Sequence, residues 1–130
     1  MPPLSKRLSQ HPRGSYELNV ELELLIGTMP KKYWDSGASY ESWIGHWKQG
    51  PTTNLERAFK VIKESPHFKG WFWQIEFESD GYPWVSAAPE AWTEGLAAPD
   101  RGGVSTSGQT LALAICAAAA KIMEEKNEHN

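Results

Sequence analysis

Residues Gly70 to Glu78 set Trp71, Trp73, Ile75 and Phe77 on one side and Phe72, Gln74, Glu76 and Glu78 on the other, the period-two alternation of a β-strand. Asp80-Gly81 follows, a pair that favours a tight hairpin turn, and Tyr82 to Ala87 supplies a second strand. Pro83 has no N–H to give to a ladder, so it belongs at the start of that strand or on an edge. An antiparallel hairpin over 70–87 is therefore the fixed point around which the rest of the chain is read.

Helical signals flank it. Thr53-Asn54-Leu55-Glu56 has the form of a capping box, with Thr53 as the cap and Glu56 reaching back. Leu55, Ala58, Phe59 and Ile62 then mark one helical face, Arg57, Lys60, Lys63 and Glu64 face water, and Pro66 stops the helix. Tyr16 to Ile26 fits two templates: Leu18, Val20, Leu22 and Leu24 alternate, while Leu18, Leu22, Leu25 and Ile26 follow a helical spacing. Three glutamates, Ser15 as an N-cap and Gly27 as a stop decide for helix. A closing helix is expected from Gly108 to Lys126, with Leu111, Ile115, Ala118, Ala119 and Ile122 as a packing stripe and a polar tail that frays from Glu124.

The remaining segments read as irregular. Met1 to Ser15, with three prolines, Gly14 and three cations, is expected to be a flexible arm. Thr28 to Thr52 is an aromatic and basic loop with a short helical turn at Tyr40 to Trp47, and Pro89 to Gly108 is a second loop. No internal repeat is visible. The expected order is helix, loop, helix, hairpin, loop, helix: a single α+β domain over residues 16–126, sandwich-like, with helices on a small antiparallel sheet and a frayed tail at 127–130.

Composition narrows the function. A chain of 130 residues holds one domain. A net charge of -3 disfavours general nucleic-acid binding. The apolar run Leu111 to Ala120 is too short to span a bilayer, and no secretory signal opens the chain, so a cytoplasmic location is expected. The single cysteine, Cys116, excludes an intramolecular disulfide and a multi-thiolate metal site. Seven Trp exceed what a core of this size holds, so some line a pocket or an interface, and a homo-oligomer is expected.

Three stretches together resemble a known family, the phage alpha-beta-alpha (ABA) sandwich domain, small proteins of phages and prophages. Leu18 to Gly27 is similar to its first helix, and Pro51 to Ile62, with a polar cap and Phe59 before Val61-Ile62, to its second. Ser107 to Ile122, with Ala114-Ile115-Cys116-Ala117-Ala118-Ala119, is similar to its closing helix. The likeness covers most of Tyr16 to Met123 and departs at Lys31–Lys48 and Trp92–Gly108. It implies a phage origin, hence a bacterial host cytoplasm, and a fold. It brings no catalytic residues with it.

No catalytic constellation stands out. Cys116 lies in an apolar helix face and reads as a buried, inert thiol. Histidines at 11, 46, 67 and 129 lack ligand spacing, so no metal and no cofactor is expected. Glu76 and Glu78 read as a solvated strand face. Binding is better supplied. Asp100 to Thr110 leads into the last helix with glycines, Arg101 and the hydroxyls of Ser105, Thr106 and Ser107, the parts of an anion site. The loop from Lys31 to Lys48 interleaves aromatics and cations. There Trp34, Trp43 and Trp47 could stack on a base while Lys31 and Lys48, with Lys32, neutralise phosphate. Trp71, Trp73 and Trp84 read as core or subunit interface. Two functions follow. The first is a non-catalytic phage-type protein that binds a nucleotide-like anion, such as an anti-defence sponge for a cyclic nucleotide signal. The alternative is a Trp-rich protein-interaction module, and a small hydrolase is a weaker third reading.

Overall fold

A computed structural model of the chain describes residues 2–27, 50–89 and 102–128. The hairpin forms where the alternation places it. Strand β1 (Phe72–Phe77) runs antiparallel to β2 (Pro83–Ala88), with Trp73 opposite Ala87, Ile75 opposite Val85 and Phe77 opposite Pro83. The turn closes through the Gly81 N–H on Glu78 O (2.8 Å) and the Glu78 N–H on Tyr82 O (3.2 Å). Gly81 sits at φ 87°, a left-handed conformation that a side chain resists. Pro83 opens its strand, as its missing N–H requires.

A third strand corrects the expected loop over 89–108. Strand β3 (Val104–Ser107) pairs antiparallel with β2, giving the sheet order β1-β2-β3. Val104 and Thr106 are buried on one face while Ser105 and Ser107 are half-buried on the other. Gly103 enters this strand so close to β2 that a Cβ on it would lie 2.0 Å from Ala87 O.

Helix α1 (Leu4–Gln10) corrects the expected arm: Leu4 and Leu8 are buried and Arg7 forms a two-pronged pair with Glu21 at 2.7 and 3.2 Å. Helix α2 (Tyr16–Ile26) begins at Ser15, whose hydroxyl accepts the Leu18 N–H, and ends at Gly27. Helix α3 (Leu55–Glu64) is capped by Asn54, not Thr53: Asn54 Oδ1 accepts the Arg57 N–H at 3.1 Å, while Thr53 Oγ1 donates to Gly50 O. A 3-10 turn (Pro66–Phe68) links α3 to β1.

Helix α4 (Leu111–Glu128) is the centre of the molecule. The sequence suggests a stripe, but every residue from Ala112 to Ala120 is buried, as are Ile122 and Met123. A helix apolar on all sides is one surrounded by other elements. Here β2 and β3 lie against it, and α1, α2 and α3 pack on it as well. The run of alanines lets these elements come near its axis. The helix also continues through the expected fraying point at Glu124 as far as Glu128. The result is a small α+β fold whose sheet, among the described residues, is open, three-stranded and antiparallel. No helix among the described residues is long and apolar enough to cross a membrane.

Candidate functional site

The sequence-based site is only partly within the described residues. Trp34, Trp43, Trp47, Lys31, Lys48 and Arg101 lie outside them. Ser105, Thr106 and Ser107 lie inside, and the strand geometry separates them. Thr106 Oγ1 points inward and donates to Ala114 O at 2.9 Å, a buried bond that ties β3 to α4. Ser105 Oγ meets Ser86 Oγ at 3.2 Å on the opposite face. Ser107 stands opposite Trp84. Alternation along a strand sends neighbouring side chains to opposite faces, so these three hydroxyls do not form one cradle. At the start of α4, Thr110 Oγ1 accepts the Leu113 N–H, so one of the amides expected to face an anion is used within the fold.

Cys116 is buried and its thiol donates to Pro51 O at 3.3 Å. Burial, with the charge of Glu23 adding to it, pushes this thiol far above its ordinary pKa. A thiol held protonated is a poor nucleophile. Among the described residues no group of three or more His, Cys, Asp or Glu is placed to hold a metal ion.

A concavity of about 810 Å³ opens between α3 and β1. Phe59 and Ile62 of α3 form one wall, Trp73 and Ile75 of β1 the other, and Val85 and Ile115 lie beneath. Phe68 and Trp71 also line it, and Phe68 meets Trp73 edge-on with ring centroids 5.8 Å apart. Lys63 and Lys69 stand among the lining residues with their side chains exposed, and Glu64 lies beside them. The groove exists because β1 reaches past the cover that α4 gives β2. Val85 and Ala87 are fully buried, whereas Ile75 on the same face is 37% exposed and Phe77 is 68% exposed. Sequence periodicity assigned Phe59 and Ile62 to a core face; in the structure they are half-buried and line an opening. The surplus of Trp was the signal that could have found this site, through Trp71 and Trp73.

No protein-family model matches the chain, and neither a curated protein nor a solved structure matches it. The functional reading rests on the groove itself.

Proposed function

We propose that this protein is a non-catalytic interaction module that receives the apolar face of an acidic amphipathic helix in the groove between α3 and β1. The observation that supports this is the groove's lining: Phe59, Ile62, Trp73 and Ile75 form facing walls, with Lys63 and Lys69 exposed among them. Apolar walls take side chains spaced three and four apart on a docked helix. Two lysines against one glutamate leave the surroundings positive, which selects a peptide with carboxylates beside its apolar stripe. A nucleotide asks for several converging donors around its phosphates, and Ser65 Oγ in this groove already accepts the His67 N–H.

The test is calorimetric titration with acidic amphipathic helical peptides. Saturable binding that is weakened at least tenfold by Lys63→Glu with Lys69→Glu supports the reading. Both lysines are exposed, so the fold should be unaffected. Absence of peptide binding, together with thermal stabilisation by a cyclic nucleotide that is released intact, would replace this proposal with nucleotide sequestration.

A further inference from the structure

We infer that two copies of this chain pair along β1, antiparallel about a two-fold axis at Ile75, joining their sheets into one. Among the described residues the sheet has two edges, β1 and β3, and they are unequal. β3 is four residues long and carries Ser105, Thr106 and Ser107, two of whose hydroxyls are already engaged. β1 is six residues long, has no proline or lysine, and exposes Phe72 (44%), Ile75 and Phe77. An edge strand apolar at four of its six positions, with Glu76 its one charge and no proline or lysine, is a template for another strand.

The hydrogen-bond pattern says which backbone groups are offered. The Glu78 N–H bonds Tyr82 O across the hairpin. Alternation in an antiparallel ladder then turns the backbone groups of Glu76, Gln74 and Phe72 toward β2, and those of Phe77, Ile75 and Trp73 outward. Pairing about Ile75 places Trp73 opposite the partner's Phe77 and Ile75 opposite its own copy, all on one face. On the other face Gln74 lies opposite the partner's Glu76; Gln74 Nε2 already donates to Glu76 Oε1 of its own strand at 2.6 Å, and its second amide hydrogen faces the partner's carboxylate. Centring the axis on Glu76 would instead set the two Glu76 carboxylates against each other, which is unfavourable. The occupant is a second copy because this one strand answers itself: half-buried Trp73 to exposed Phe77, amide to carboxylate, outward N–H to outward C=O. The pairing does not depend on a peptide occupying the groove.

Sedimentation of the full chain should give twice the 14.6 kDa chain mass, and Phe77→Lys should return it to the monomer with its circular dichroism unchanged. Ile75→Cys supplies a second readout, since Cys116 is buried and residues facing across a hydrogen-bonded antiparallel pair lie about 5.5 Å apart at Cα, within disulfide reach. Oxidised Ile75→Cys should cross-link between chains at least tenfold faster than Gln74→Cys, whose opposite residue is Glu76 of the other copy. A wild-type monomer, a dimer indifferent to Phe77→Lys, or faster cross-linking of Gln74→Cys would each overturn the inference.

Discussion

The Glu124 carboxylate accepts both the backbone N–H of Ser5 at 2.9 Å and its hydroxyl at 2.5 Å, so a residue near the end of α4 caps the start of α1. Pro3, the N-cap of α1 itself, offers no side-chain bond. A seven-residue helix is too short to stand alone. This one persists because Leu4 and Leu8 are buried in the core and because Glu124 satisfies its first turn.

Leu8→Ala should therefore destabilise the protein by about 2–5 kcal/mol, the usual range for emptying a buried leucine site. Glu124→Ala should cost about 1–3 kcal/mol by leaving the Ser5 donors without their acceptor. Urea denaturation followed by circular dichroism measures both. An unchanged midpoint for Leu8→Ala would mean that the amino-terminal segment is the mobile arm its prolines suggest.

Gly103→Ala should be destabilising by about 1–3 kcal/mol or more, because its Cβ would meet Ala87 O at 2.0 Å and Ala88 Cα at 2.8 Å. Neither is a flexible side-chain end, so β3 must shift from β2 to admit it. Gln109→Ala, at an exposed neighbouring position, should stay within about 0.5 kcal/mol of wild type. Thermal melts of the two variants side by side check this, and equal melting temperatures would contradict the close approach.

The elements legible in the sequence are those whose signals are local. The hairpin has a period of two and an Asp-Gly turn, and α2 has Ser15 and Gly27 at its ends. Helix α1 was hidden because only Leu4 and Leu8 mark its buried side and its cap comes from a residue at the far end of the chain. β3 was hidden because four residues with three hydroxyls look like a loop until β2 is beside them. The all-round burial of α4 is a property of its neighbours, and alanine does not announce which sides will be covered. The groove was half legible: the number of Trp called for an opening or an interface, but only the splay of β1 from α3 shows that Phe59 and Ile62 share it.

Asn19 and Thr52 give a further test of packing between α2 and the segment before α3. Asn19 Oδ1 accepts the Thr52 N–H at 2.8 Å and its hydroxyl at 2.5 Å, with both residues buried. Asn19→Leu should cost about 1–3 kcal/mol, the penalty for a buried donor without its acceptor. Guanidinium titration measures it, and a loss below about 0.5 kcal/mol would show that other groups take over these bonds.

Cys116 makes stability depend on alkaline pH in a direction that can be worked out. Its thiol is held protonated in the folded protein by burial and by the charge of Glu23, while the unfolded chain ionises it at about pH 8.5. Above that value the folded state binds more protons at this site than the unfolded state, so stability falls as pH rises. The contribution is complete below about pH 8.5, and above it the slope approaches about 1.4 kcal/mol per pH unit. Unfolding free energies between pH 7 and 10 for wild type and Cys116→Ala isolate this group, because every other ionisable group is common to the two proteins. The difference between the two curves should narrow steadily above pH 8.5, because only wild type loses this term. A difference constant with pH would mean that the folded thiol ionises as readily as a free one.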